Sequence, residues 1–483
     1  MDDNNDMETM SIESGGCGGA TEEDKKATVT PTAHRSLDEE SPTVETAEKT
    51  TDEPRDNETS AHSDAGAVAH QNTLSVFDTV IVLTTFSLAG AIIAVPYSFG
   101  QFGYLGGPLM FLLIISLMLY FLNFLCNIAE SADDETAGGA ATATNIKTLG
   151  DVGYHLAGKK GRHLFDTFQM TNLVCFLPVG LETIGVSLNY VVNGSCASFW
   201  NIICIIVLYV LLQCMQHWHH MAWVGYVTFF LAASKALIFL PYAYIEYQED
   251  VVSSKDYYMG PIQAFGNPQP TWYNYGVAIT GFFYTFVPVF IMFEVRGSMK
   301  EPRRLKTALN TSALIQIILY LVAGVMAVVY WGWNVSDPIT IEIPRGWLGL
   351  YVNIAVLLAT ILDYLIAAKI ANAWFKSIFF PNWPSDSILL KLLYTLPLTI
   401  FAIASVLVIP EFDLLVGLLT SICIIGMNTW VITLAWELGG RRFRGHRLWM
   451  WILFIIGVAY NACGLGSSLY EIVTATYSWS FCD

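Results

Sequence analysis

Charge is scarce in this sequence: 13% of its 483 residues are Asp, Glu, Lys or Arg, against about a quarter in a soluble globular domain. With 54% hydrophobic residues and a mean hydropathy of +0.48, that scarcity excludes an ordinary soluble domain and points to many membrane spans. No apolar run of signal-peptide character stands near Met1, so the first span is expected to act as the insertion signal. The nine cysteines include no CxxC pair and fall mostly in apolar stretches. They read as packing residues rather than a metal or disulfide framework, with Cys196 and Cys482 as a pair the topology could bring to one side. GxSxG, HExxH and P-loop patterns are missing, as are paired aspartates within one span, which argues against an enzyme.

What charge there is lies at one end. Residues 1–73 hold 18 acidic and five basic side chains, so most of the net charge of -17 belongs to them. The stretch is rich in Ser, Thr, Glu, Asp and Gly and nearly devoid of aromatics, and it cannot bury enough apolar surface to fold alone. We expect a disordered acidic tail over 1–73, a transmembrane domain over 74–474 and a short C-terminus over 475–483.

Eleven apolar runs of spanning length follow, at roughly 75–99, 105–129, 164–192, 199–215, 221–245, 274–296, 307–332, 347–373, 387–409, 413–437 and 447–474. The first two are separated by an uncharged turn at Gly103 to Gly107. Lysines and arginines cluster before span 3 (Lys147, Lys159, Lys160, Arg162), after span 6 (Arg296, Lys300, Arg303, Arg304, Lys306) and between spans 10 and 11 (Arg441, Arg442, Arg444, Arg447). All three fall on one side, expected to be cytosolic, and they read as topology determinants rather than nucleic-acid contacts. The tail is then cytosolic and the C-terminus non-cytosolic. The glycosylation acceptor triplets at Asn193 and Asn334 fall on the outer side in this arrangement.

Two spans are interrupted in the same way. Gly90 and Pro96 punctuate span 1, and Gly281 and Pro288 bracket Phe282 to Val287 in span 6. Spans 1 and 6 are five apart and cross in opposite senses, the pattern of an inverted-repeat secondary transporter, although no plain sequence repeat is visible. The expected fold is therefore all-α and integral to the membrane: eleven transmembrane helices in a 5+5 inverted repeat with broken helices 1 and 6, plus helix 11.

Three stretches resemble the amino acid/auxin permease family, within the wider amino acid-polyamine-cation transporter group. GAIIAVPYSFGQFGYLGG (Gly90 to Gly107) is similar to that family's first span and Gly-rich turn, FEVRGSMKEP (Phe293 to Pro302) to its exit from span 6, and Thr148 to Gly153 to the loop before span 3. The resemblance covers about residues 74–474. It implies a proton- or sodium-coupled carrier of amino acids. The family's two span 1 glycines are Ala89 and Ala91 here, with Gly90 between them, and Thr85 stands where some sodium-coupled members carry Asn, which favours H+ over Na+.

At each interruption, freed N-H groups suit a carboxylate and freed carbonyls suit an ammonium, as a zwitterionic amino acid requires. The candidate substrate residues are Ala89, Gly90, Ala91 and Ile92 in span 1 and Tyr284, Thr285, Phe286 and Val287 in span 6. Ionisable residues inside spans are costly and mark function. Glu182, Lys235 and Asp363, with Thr85, are the coupling-ion candidates; by the resemblance Lys235 would carry the coupling charge, while a static pair with Glu182 or Asp363 is the competing reading. Lys369 is expected to reach toward the surface, and Glu294, Asp78 and Glu437 to be interfacial or gate residues. His217, His219 and His220 lie in a short turn between spans 4 and 5 without metal-ligand spacing, and neither a metal nor another cofactor is expected.

The sequence supports a proton-coupled secondary active transporter of amino acids working by alternating access, in the plasma membrane or an acidic organelle membrane. The alternative is a transporter-like sensor that signals amino acid occupancy to a cytosolic partner through the tail.

Overall fold

The computed structural model describes residues 74–137, 146–192, 196–214, 218–235, 264–266, 271–286, 291–332, 346–381, 388–409, 412–422 and 447–474, with 237, 335, 339, 343 and 383. The tail, Asn193, Val287, Asn334, Glu437, Cys482, three of the arginines between spans 10 and 11 and the C-terminus lie outside these residues. Helices α1 (Val76–Ala137), α2 (Leu149–Val192), α3 (Ala197–Cys214), α4 (Trp218–Ser234), α5 (Trp272–Tyr284), α6 (Met292–Ser298), α7 (Leu305–Trp331), α8 (Trp347–Phe379), α9 (Ile388–Val408), α10 (Phe412–Leu419) and α11 (Arg447–Thr474) follow in order. Each predicted apolar run contains a described helix. Among the described residues, six stretches are long and apolar enough to cross a bilayer alone: Ala91–Asp134, Leu149–Val192, Pro302–Val329, Trp347–Phe379, Leu389–Val408 and Leu448–Thr474.

The first two helices start in the same way. Ser75 Oγ accepts from the Asp78 N-H at 3.1 Å while the Asp78 carboxylate accepts from the Ser75 N-H at 2.8 Å. Thr148 and Asp151 repeat the exchange at 3.1 and 2.9 Å. Each is a reciprocal capping box that occupies donors a helix start would leave orphaned. The Thr148 to Gly153 stretch, expected as a loop, is therefore the capped first turn of α2, which kinks at Ala157 and Gly158 before running through span 3.

Span 1 corrects a second expectation. Helix α1 runs without interruption through Ala89 to Pro96, and its non-helical dihedrals fall at Gly103 (φ 78, ψ 173). Gly90 costs about 1 kcal/mol of propensity and Pro96 removes one donor. Close packing on all sides offsets both, for Ala91, Ile92, Ile93, Ala94 and Val95 are each at most 3% exposed. The break sits where only glycine tolerates the positive φ, and it separates the helix of span 1 from that of span 2. Ala264 O accepts from the Leu105 and Gly106 N-H groups there, at 3.0 and 3.2 Å. The predicted break in span 6 is observed: α5 ends at Tyr284 and α6 starts at Met292.

Helix α1 packs most extensively along α7, and α2 along α8. Their shared core is aromatic: Phe86, Phe99, Phe111, Phe282, Phe283, Phe286 and Tyr320 are all buried. Helices α9 and α11 are peripheral, with Leu389 75% and Leu448 77% exposed as expected of side chains facing lipid. Cys196, immediately before α3, is disulfide-bonded, while Cys126, Cys204 and Cys463 are not.

Candidate functional site

Five predicted spans meet around the end of α5. From span 5 comes Lys235, one residue beyond α4 and 1% exposed; from span 8 comes Asp363 on α8, also 1% exposed. The two interact electrostatically without hydrogen-bonding each other, and neither Lys235 Nζ nor Asp363 Oδ1 has a hydrogen-bond partner among the described residues. Asp363 also lies within electrostatic range of Tyr320 on α7, as does Tyr284 at the end of α5. The Tyr320 hydroxyl donates to the Ser87 carbonyl of α1 at 2.5 Å and stands 3.4 Å from the Thr285 carbonyl just past α5. The interruption in span 6, the helix of span 1, and a buried cation and carboxylate thus share one centre.

On one side this centre is closed by rings. The Phe282 ring lies 5.4 Å from Phe99, 5.7 Å from Phe102 and 5.8 Å from Phe111, and Phe111 meets Tyr320 edge-on at 5.9 Å. Span 1 approaches span 6 closely here, since a Cβ on Gly281 would stand 2.3 Å from Ser98 Oγ.

On the other side it is closed by polar contacts of α6. Gln169 Nε2 on α2 donates to Glu294 Oε1 at 2.5 Å. Arg296, 2% exposed, donates to Asp133 on α1 at 2.5 Å and to the Ile146 carbonyl. Immediately after α6 the chain pairs with the first described residue: Leu74 N-H donates to Ser298 O at 3.0 Å, and Lys300 N-H to Leu74 O at 2.9 Å. Close by, Tyr226 on α4 donates to Asp78. Arg296, read in the sequence as one of the topology-determining cluster after span 6, is buried. Arg303 and Arg304 are exposed, as a flanking cluster should be.

Of the predicted substrate residues, Ala91, Ile92, Tyr284, Thr285 and Phe286 are buried in this core. Ala89 and Gly90 belong to the continuous helix of α1. Two coupling candidates stand elsewhere. Glu182, 2% exposed, accepts from Asn201 Nδ2 on α3 at 2.6 Å, so its partner is span 4 rather than Lys235. Thr85 donates to the Gly225 carbonyl of α4 at 3.2 Å, nearly three helical turns before Lys235. Trp218, His219 and His220 are in the first turn of α4 rather than in a turn between spans. No metal-binding group of three or more His, Cys, Asp or Glu residues occurs among the described residues.

The sequence reading missed the polar face of α7. Ser312, Gln316 and Tyr320, all fully buried, recur every fourth residue. Ser312 Oγ bonds Thr84 Oγ1 at 2.8 Å, Gln316 Nε2 donates to Ser312 Oγ at 2.8 Å and points to Leu83 O at 3.4 Å, and Tyr320 reaches Ser87 O. Three polar residues at four-residue spacing in an otherwise apolar run were the available signal.

The family model for transmembrane amino acid transporter protein matches residues 72–434. The chain belongs to that family. No curated protein sequence matches this amino acid transporter family member. Among solved structures it resembles a mutant of the manganese transporter of Eremococcus coleocola (TM-score 0.52, 12% identity, 89% of this chain and 91% of that one). It also resembles MhsT in complex with L-phenylalanine (TM-score 0.52, 15% identity, 81% of this chain and 98% of that one). At these identities the likeness concerns the fold, which is that of all-helical transporters. The transporter is an integral, multi-pass membrane protein.

Proposed function

We propose that this protein is a proton-coupled secondary active transporter of amino acids, working by alternating access at the centre where spans 1 and 6 meet. The observation that carries the reading is the buried Lys235 and Asp363 beside the interruption at Thr285. A cation and a carboxylate held apart, each with an unmatched polar atom, form a pair whose proton content can change during a cycle; a static ion pair would be closed by direct contact. The zwitterion fits the other half of the centre, where the Ser87 and Thr285 carbonyls offer sites for an ammonium. L-Phenylalanine bound to a protein of the same fold supports an amino acid as the cargo.

The disulfide at Cys196 supports placing the connection between α2 and α3 on the non-cytosolic side, since disulfides persist in oxidising compartments. The α6 lock then faces the cytosol, with the acidic tail. A sensor reading is favoured by one observation: the residue at which the tail enters the domain is hydrogen-bonded to the chain leaving α6, so tail and lock are physically joined.

The test is uptake of a labelled amino acid pool into proteoliposomes under an imposed pH gradient or an imposed sodium gradient. Accumulation driven by the pH gradient alone is expected. Accumulation driven only by sodium overturns proton coupling, and none under either condition overturns transport in favour of sensing.

A further inference from the structure

Helix α2 begins as a hairpin. Residues 149–156 and those after Gly158 lie back to back: a Cβ on Gly153 would stand 2.4 Å from the Gly161 carbonyl oxygen, and one on Gly150 would stand 1.8 Å from Asp166 Oδ1. Ala157 and Gly158 make the reversal, the glycine at φ 62, and a Cβ on Gly158 would meet nothing within 4 Å. The hairpin thus has a tightly packed root and an open tip. Its root is seated on α6. Arg296 donates to the Ile146 carbonyl just before the hairpin, a Cβ on Gly297 would stand 3.2 Å from Lys147 Cβ, and Gln169 donates to Glu294 at 2.5 Å.

The tip carries Lys159 and Lys160, both exposed. Other cations on this side of the bundle have partners: Arg162 faces Asp151 and Asp166 at 3.7 and 3.8 Å, Arg303 faces Asp134, Arg304 faces Glu301, and Lys306 donates to Asn127. Lys159 and Lys160 have no carboxylate partner among the described residues. The apolar run of span 3 starts at 164, so Lys160 stands about 6 Å along the helix from the hydrocarbon edge, within the thickness of a headgroup layer. Tyr154 and Leu164 on the same hairpin are each 39% exposed, as side chains at that boundary are. At this depth the phosphates of the bilayer are the counter-charge that a lysine stem reaches. We propose that Lys159 and Lys160 form a site for anionic phospholipid headgroups, and that lipid held there keeps the hairpin, and through its root α6, in place. The inference goes beyond the transport reading: it requires a membrane protein and stands whichever solute is carried.

The experiment uses the full chain in nanodiscs of phosphatidylcholine alone or of equal parts phosphatidylcholine and phosphatidylserine. Hydrogen exchange is followed over 149–163 and 291–300. With phosphatidylserine, exchange of the wild type in both segments should slow by about fivefold or more, the effect of one or two lysines near an anionic leaflet, and high salt should remove the difference. The double variant Lys159→Gln, Lys160→Gln should lose the response while exchanging like the wild type in phosphatidylcholine alone. Lys159→Arg with Lys160→Arg should restore it, and Arg303→Gln with Arg304→Gln should keep it. Equal exchange of the wild type in the two bilayers overturns the site. Slowing confined to 149–163 overturns the link to α6. A response lost equally in the Arg303 and Arg304 variant assigns it to the basic face at large and overturns the site, as does a double variant that already exchanges faster in phosphatidylcholine, which would make the lysines structural. Slowing produced by soluble glycerophosphoserine added to phosphatidylcholine nanodiscs makes this a site for a free phosphate ester and overturns the lipid assignment. None of these outcomes bears on amino acid uptake, so the carrier reading fails or holds separately.

Discussion

Two buried carboxylates, Asp363 and Glu182, look alike in the sequence, and their partners separate them. Asp363 faces Lys235 across the centre, whereas Glu182 has the carboxamide of Asn201 at 2.6 Å. If Lys235 and Asp363 share the coupling role, Lys235→Met abolishes accumulation driven by a pH gradient while amino acid binding stays measurable by thermal shift; unchanged uptake would remove Lys235 from the mechanism. Their interdependence is itself measurable. In a double-mutant cycle of Lys235→Met and Asp363→Asn, the effects on melting should depart from additivity by about 1 kcal/mol or more, since each single change leaves the other charge buried alone. Glu182→Gln should keep both fold and coupling, because the amide oxygen still accepts from Asn201 Nδ2. Asn201→Ala should cost on the order of 1 kcal/mol, the scale of a hydrogen bond between helices in a membrane. A pH-gradient response lost in Glu182→Gln would return Glu182 to the coupling path. From sequence alone these roles were indistinguishable, because the register between spans 3, 4, 5 and 8 is set by packing.

At the scale of elements, the seven-residue α6 is too short to hold a helix by its own hydrogen bonds and is positioned by its neighbours. Glu294 ties it to α2, Arg296 to the end of α1, and the following residues to Leu74. Opening the site toward this end requires those contacts to part. Asp133→Asn removes the charge opposite Arg296 and should raise hydrogen exchange across 291–300 by about tenfold, the equivalent of about 1.4 kcal/mol within the range of a hydrogen bond to a charged group. Exchange identical to the wild type would show that the ion pair does not hold α6. The interruption of span 6 was legible from Gly281 and Pro288, yet the matching pair in span 1 gave a continuous helix. Punctuating residues lower the cost of a break; surrounding contacts decide whether one forms. Likewise the Arg296 cluster was legible as a flank of a span, while the burial of one member against Asp133, 163 residues away in sequence, was not.

Across the whole molecule, composition and run length were enough to identify a bundle of membrane spans, and motif order was enough to indicate the family, because both are properties of the chain that survive any arrangement in space. The α7 stripe could be read as spacing, but its partners on α1 and the meeting of five spans required the arrangement itself. The point where the tail joins this bundle divides two outcomes sharply. The contacts that fix the start of the domain all lie beyond residue 70: Leu74 pairs with Ser298 and Lys300, Ser75 caps α1, and Asp78 receives the Tyr226 hydroxyl from α4. Deleting residues 1–70 should therefore leave uptake into proteoliposomes within about twofold of the full chain if the protein is a carrier, with any signalling through the tail lost. Removing the cap instead, by Ser75→Ala, should lower stability by about 1 kcal/mol, the usual effect of losing an N-cap oxygen. If the short deletion stopped uptake while Ser75→Ala did not, the acidic tail would be part of the transport cycle rather than an appendage to it, and the hydrogen bonds between Leu74 and the end of α6 would be the route by which it acts.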